Sequence, residues 1–269
     1  MKTLFIALIL IYIVVCAAMY FIQDKLIFPA KAAPQNISTE GEVFISPLDN
    51  IKLESKIFKS DDENADVVIL FTGNAQNALL VGKNIFEGYN EKSHIATMNY
   101  RSYGRSEGNP TQETLFADAL AFTQYIKTTF PKSKMYIMGI SLGTGVATYV
   151  AANLNVDGVL LFTPYDSLLK IAKIDYPYLP TSWLLKHPFN SLEYIQKITA
   201  PTAIMIAEND TVIPHVSTKN LIKHGKNIVH TQVMSGMSHT EYLEVRNLEL
   251  QKIVIKKAME DIVNASKKL

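Results

Sequence analysis

The chain has a single cysteine, Cys16, in 269 residues, so a disulfide within the chain is excluded, and with it a small cross-linked scaffold. It also lacks an excess of charge of one sign: 26 basic residues face 25 acidic ones, for a formal net charge of +1. Binding a phosphate backbone needs clustered basic residues, and no such cluster occurs, so a nucleic-acid partner is not expected. No Cys-x-x-Cys, His-Glu-x-x-His or EF-hand-like spacing is found, so nothing points to a structural or catalytic metal. Internal repeats and low-complexity tracts are absent as well. What remains is a length suited to one large domain, with 48% apolar residues to fill its core.

Charge is missing most conspicuously at the start. From Thr3 to Ile22 some twenty residues run without a charged side chain, with Lys2 before them and Asp24 and Lys25 after. As a helix this segment is ~30 Å long, enough to cross a hydrocarbon core. It is apolar on every face, which argues against a buried helix of a soluble domain. An uncleaved signal anchor over residues 1–24 is the favoured reading. A cleavable signal peptide cut near Ala17 or Ala18 competes, but the apolar run continues past those small residues. A lipoprotein signal at Cys16 is disfavoured, because Val15 stands where a small residue is expected. Lys2 and the amino terminus favour N-inside, although Lys25 and Lys31 weigh against it, and the domain is expected on the non-cytoplasmic side.

Residues 25–42, with Pro29 and Pro34, read as a linker, and residues 43–269 as the folded domain. Val43 to Ile45 and Ile51 to Phe58 suggest an antiparallel edge pair. Val67 to Phe71 is a continuous apolar strand of the kind buried on both faces. Further strands are expected at His94 to Met98, Met135 to Met138, Gly158 to Phe162, Ala203 to Ile206 and Ile228 to Val233. Helical spacing covers Ala78 to Tyr89, Leu115 to Phe130, Thr144 to Asn153, and segments starting at His215 and Thr240. Strands alternating with helices imply an α/β fold: a mostly parallel twisted sheet with helices on both faces. Ile174 to Asn190 breaks this rhythm with three prolines and clustered aromatics, and predicts a small lid near residues 166–190. Its Tyr176, Tyr178, Trp183, Leu184, Leu185 and Phe189 either line an acyl pocket or touch lipid, or pack on the body of the domain.

Chemistry concentrates in Gly139-Ile140-Ser141-Leu142-Gly143, between an apolar strand and a helix. A Gly-x-Ser-x-Gly at such a junction is a nucleophile elbow: a strained turn lifts the serine above the sheet, and the glycines let two backbones approach. A serine hydroxyl needs a base within reach and a group that orients that base. His239, in Ser235-Gly236-Met237-Ser238-His239-Thr240, is the candidate base; it follows the last strand and opens the last helix. Asp210, in the loop after the strand Ala203 to Ile206, is the candidate acid, with Asp166 as its competitor; Glu208 and Asn209 are read as shaping the turn. His94, His187, His215, His224 and His230 are read as structural or solvated. The backbone N–H groups of Leu142 and Asn74 are the candidate oxyanion donors, the second from the loop Thr72-Gly73-Asn74-Ala75-Gln76.

Thr72-Gly73-Asn74-Ala75, Asn99-Tyr100-Arg101-Ser102-Tyr103-Gly104-Arg105-Ser106-Glu107-Gly108-Asn109-Pro110, Gly139 to Thr144, Asp210 and His239 together resemble the α/β-hydrolases. The likeness is to the single-pass membrane-anchored serine hydrolases that include lysophospholipid lipases and protein depalmitoylases, and it extends to Gln23-Asp24-Lys25-Leu26-Ile27-Phe28-Pro29. The resemblance implies an α/β-hydrolase fold and an acyl-enzyme mechanism without metal or organic cofactor. Two motifs depart from the family pattern, which has His-Gly-Asn-Ala where this chain has Thr72, and Asp-Tyr-Arg-Gly where it has Asn99 and Ser102. The Tyr103-Gly104-Arg105-Ser106 stretch is expected to be a structural turn.

These features together predict a membrane-tethered serine hydrolase acting on carboxylic esters or thioesters, with acyl-lipid or lipidated substrates in view. A serine peptidase or amidase using the same three residues is the runner-up, and a catalytically silent membrane-anchored binding protein is the third reading. The implied partners are the ester or thioester substrate and the membrane; the sequence sets no oligomeric state.

Overall fold

A computed structural model of the chain describes residues 1–34, 41–88, 92–239, 241 and 248–267. Eight strands form one sheet: β1 (Glu42–Ile45), β2 (Lys52–Phe58), β3 (Val67–Phe71), β4 (His94–Met98), β5 (Met135–Ile140), β6 (Gly158–Phe162), β7 (Thr202–Asn209) and β8 (Ile228–Ser238). Their spatial order is β1-β2-β4-β3-β5-β6-β7-β8. β2 pairs antiparallel with both β1 and β4, and every later pairing is parallel.

Alternation along the strands decides which face each side chain serves. In β3, Val67, Ile69 and Phe71 join one apolar cluster while Val68 and Leu70 join the other. The first cluster packs against α3 (Gln112–Thr129), α4 (Leu142–Asn153) and α8 (His215–His224), and the second against α2 (Ala78–Gly88) and α9 (Leu248–Ser266). Helices therefore cover both faces, which explains why β3 through β6 are buried along their whole length.

Two boundaries differ from the sequence reading for identifiable reasons. α3 begins before Leu115 because Thr111 caps it: the Thr114 N–H donates to Thr111 Oγ1 at 3.1 Å, and the Thr111 N–H to Thr114 Oγ1 at 2.9 Å. β8 runs on to Ser238 beyond the apolar run, held by its parallel partner β7. The helix expected from Thr240 begins on residues largely outside the described ones, and the described helix is α9.

The N-terminal α1 (Lys2–Ile27) is a continuous helix with one buried residue, Gln23. It is long and apolar enough to cross a membrane. It continues three residues past the expected anchor boundary, so the start of the expected linker is helical, and a short 3-10 turn follows at Ala30–Ala32. Between β6 and β7 lie α5 (Leu168–Asp175), α6 (Thr181–Leu184) and α7 (Ser191–Ile195). α5 and α6 form the small lid, and its aromatics divide. Phe189 is wholly buried against Phe28 and Phe116, whereas Tyr178 and Trp183 are 88% and 89% exposed.

Candidate active site

Parallel register brings the chemistry together. Phe71 stands opposite Gly139, and Ile140 opposite Phe162, so the chain leaves β3, β5 and β6 at one edge of the sheet. Asn209 stands opposite Ser238, so Asp210 and His239, each the next residue along, emerge side by side.

Ser141 sits between β5 and α4 at φ 49° and ψ −119°, a backbone that L-residues rarely adopt. Its N–H donates to the Phe162 carbonyl at 3.0 Å, and its carbonyl accepts from the Thr144 N–H at 2.8 Å and Thr144 Oγ1 at 2.7 Å. Both flanking glycines are required by space. A Cβ on Gly139 would lie 2.7 Å from Thr144 Cα, and one on Gly143 would run into the Phe71 carbonyl. The turn is thus pinned on both sides.

Ser141 Oγ lies 2.8 Å from His239 Nε2, and His239 Nδ1 lies 2.8 Å from Asp210 Oδ2. The other Asp210 oxygen accepts from the backbone N–H of Ile213 at 2.8 Å and of Val212 at 2.9 Å. Burial pushes the Asp210 carboxyl up, but the hydrogen bond from His239 and those from the two amides outweigh it, leaving the pKa below its ordinary value. An ionised carboxylate only accepts, so His239 carries its proton on Nδ1 and offers the Nε2 lone pair to Ser141. Glu208 braces the pair: its Oε2 accepts from the Gly236 N–H at 2.7 Å, tying the end of β7, just before Asp210, to the end of β8, just before His239.

Asp166 is engaged elsewhere. Its carboxylate accepts from Lys170 Nζ and Asn220 Nδ2, both at 2.7 Å, from Ser217 Oγ at 2.6 Å and from the Ser167 N–H at 2.8 Å. It is buried, which raises its pKa, yet these donors win and hold it low. The remaining histidines also have structural settings. His187 Nδ1 accepts from the Gln112 N–H, His215 Nε2 meets the Ala207 carbonyl, and His230 Nδ1 meets Asp261.

The loop after β3 abuts the serine: a Cβ on Gly73 would stand 3.4 Å from Ser141 Cβ. The Gly73 N–H is taken by Gln76 Oε1 at 2.7 Å, so Asn74 is the next backbone donor along this loop. Two tyrosines hold the loop from below. Tyr100 Oη donates to the Thr72 carbonyl at 2.9 Å, and Tyr103 Oη to the Asn74 carbonyl at 2.5 Å. Burial pushes both phenols up, so they remain neutral donors. The sequence marks Tyr103 only as part of a structural turn and does not reveal this support, which comes from a different strand-to-helix connection.

The departures at Asn99 and Ser102 also have a physical account. Asn99 Oδ1 accepts from the Ala78 N–H at 2.7 Å while its Nδ2 donates to the buried Glu54 at 2.9 Å, a donor role that an ionised aspartate cannot fill. Ser102 occupies φ 67°, where glycine is the ordinary choice, and its Oγ donates to the Gly108 carbonyl at 2.6 Å.

Comparison with known proteins agrees with this architecture. A family model for the alpha/beta hydrolase fold matches residues 66–192. The lysophosphatidylserine lipase of Danio rerio is 35% identical over 146 residues, which is 48% of this chain but only 38% of that protein. An uncharacterised membrane protein of Saccharomyces cerevisiae is 26% identical over 223 residues, covering 76% of this chain and 78% of its own length. Among solved structures, an esterase of Pyrococcus furiosus superposes with a TM-score of 0.66 at 19% identity, covering 86% of this chain and 99% of that one. The Est1E protein of Butyrivibrio proteoclasticus, solved with ferulic acid bound, gives a TM-score of 0.66 at 17% identity, with 82% and 99% covered. The sheet order, the elbow at Ser141 and these matches together show that the chain has the α/β-hydrolase fold.

Proposed function

We propose that this protein is a membrane-anchored serine hydrolase that cleaves carboxylic esters or thioesters through an acyl-enzyme intermediate. The observation that carries this reading is the unbroken relay Ser141 Oγ, His239 Nε2, His239 Nδ1, Asp210 Oδ2, with 2.8 Å at each hydrogen bond, built on a strained elbow. His239 takes the Ser141 proton as Oγ attacks the substrate carbonyl. The resulting oxyanion is met by the N–H of Leu142, the first residue of α4, and by that of Asn74. Collapse of the tetrahedral species transfers the proton from His239 to the leaving alcohol or thiol. Water, activated by the same imidazole, then releases the acyl group. Asp210 holds the required tautomer and stabilises the imidazolium that forms in each half-reaction.

The acyl-lipid preference is supported by the apolar N-terminal helix, by the apolar lid and by the similarity to a lysophosphatidylserine lipase. Residues 1–24 are proposed to act as the anchor, with the domain on the non-cytoplasmic side. The test is fluorophosphonate labelling of detergent-solubilised full-length protein, followed by a hydrolysis panel of lysophospholipids, acyl thioesters, short esters and aminoacyl amides. Labelling is expected at Ser141 and lost in Ser141→Ala, with esters or thioesters turned over in preference to amides. Labelling that survives Ser141→Ala would overturn the mechanism.

A further inference from the structure

The lid does not stand free above the domain; it runs along the anchor helix. Tyr12 Oη donates to the Tyr178 carbonyl at 2.9 Å. Further along α1, Gln23 Nε2 donates to the Leu184 carbonyl at 2.9 Å and Gln23 Oε1 accepts from the Lys186 N–H at 2.8 Å. Eleven residues of helix separate Tyr12 from Gln23, or ~16 Å along its axis. If Lys2 and Asp24 mark the two ends of the crossing, lid residues 178–184 lie beside the part of α1 that sits in hydrocarbon. Ile174, Tyr176, Tyr178 and Trp183 are exposed on this same lid.

Between helix and lid is a cavity of about 190 Å³. Met19, Leu26 and Ile27 of α1 form one wall, and Leu168, Ile171 and Leu184 belong to the other. Its lining residues with polar side-chain atoms are Gln23, Thr181, Asp175 and Tyr176, and the Gln23 amide is already satisfied by backbone on both its oxygen and its nitrogen. None of Ser141, Asp210 or His239 lines it. An apolar cavity of ~150 Å³ admits a benzene ring, so this one has room for a stretch of alkyl chain. Because one wall is the membrane-crossing helix, the hydrocarbon available to fill it is that of the bilayer.

We infer that the cavity between α1 and the lid is a binding site for an acyl chain of a glycerophospholipid drawn from the surrounding leaflet. The site depends on α1 lying in a bilayer and not on the chemistry at Ser141, so the two readings fail separately. The protein is reconstituted into phosphatidylcholine vesicles containing a phosphatidylcholine with a diazirine near the end of one acyl chain. It is then irradiated and digested, and the adducts are mapped. Adducts are expected on Ile171, which is only 8% exposed, and on Ala172 and Leu184, and they are expected equally in Ser141→Ala. Ala172→Trp, which fills the cavity from α5, should abolish the Ile171 and Leu184 adducts while leaving those on the exposed face of α1 at Leu4 and Ile11. Leu184→Trp provides the same block from α6, and the melting temperature of each variant reports whether it has folded. Adducts confined to α1 and to Tyr178 and Trp183 in the wild type, or Ile171 adducts that persist in a folded filled variant, would overturn the site.

Discussion

Asp210 and Asp166 are both buried carboxylates in loops that follow strands, and only their partners distinguish them. Asp210 faces an imidazole; Asp166 faces an ammonium, a hydroxyl and an amide. Asp210→Asn keeps the shape but favours the wrong tautomer of His239, so turnover should fall by about 10⁴-fold. Folded Asp166→Asn should retain turnover near that of the wild type, and equal losses at both positions would refute the assignment. The depressed pKa of Asp210 also makes a prediction about stability. A carboxyl that ionises more readily in the folded state adds stability above its unfolded pKa of about 4, and that contribution disappears as pH falls through the folded value. The melting-temperature gap between wild type and Asp210→Asn should therefore narrow on going from about pH 6 to about pH 3. A gap that is flat across this window would mean that the carboxylate gains nothing from His239 and the two amides.

At the scale of elements, the elbow and the loop after β3 are two turns pressed against each other. Gly143 of α4 packs directly on the end of β3, with no room for a Cβ against the Phe71 carbonyl. Gly143→Ala should destabilise the protein by roughly 3 kcal/mol or more, since backbone and not a movable side chain stands in the way. Denaturant titration measures this directly. Tyr103→Phe tests the other turn: it removes the donor to the Asn74 carbonyl without changing the packing of the ring. If Asn74 supplies an oxyanion donor, the variant should lose turnover, by about ten-fold, with KM nearly unchanged, because the donor acts on the transition state. A change confined to KM would place the loop in substrate binding instead. The strands were readable from their apolar runs and the elbow from its glycines. The supports of the loop after β3 were not, because Tyr100 and Tyr103 reach it from a different strand-to-helix connection.

At the scale of the whole molecule, buried polar networks tie distant parts of the chain together. Arg101 is 4% exposed and pairs with Asp118 at 2.7 Å and with Asp49 at 2.6 Å, while Ser46 hydrogen-bonds the same Asp118 at 2.5 Å. These carboxylates hold the guanidinium charged, with its pKa raised further. Asp118→Ala leaves that buried charge short of its main partner and should cost about 3–5 kcal/mol of stability in an unfolding titration. Gln23 does the equivalent for the anchor, as a buried side chain that satisfies two backbone groups of the lid. Asp24 adds contacts with Lys186 at 3.0 Å and His187 at 3.2 Å. α1 and the α/β domain are thus joined through the lid as well as through the chain.

By itself the sequence determined those features that depend on local pattern. The twenty uncharged residues after Lys2 make a helix suited to a bilayer, the continuous apolar runs make strands buried on both faces, and two glycines around Ser141 permit only a tight turn. The order Ser141, Asp210, His239 was also legible, because each follows a recognisable strand. Only the tertiary structure decided which acid meets the histidine. That choice depends on register: Asn209 beside Ser238 in the β7–β8 pair sets Asp210 and His239 next to each other, while Asp166 leaves from β6 toward α8. It also decided that Gln23, the buried residue of α1, holds the lid. No periodicity in one segment encodes a contact made with another more than 160 residues away.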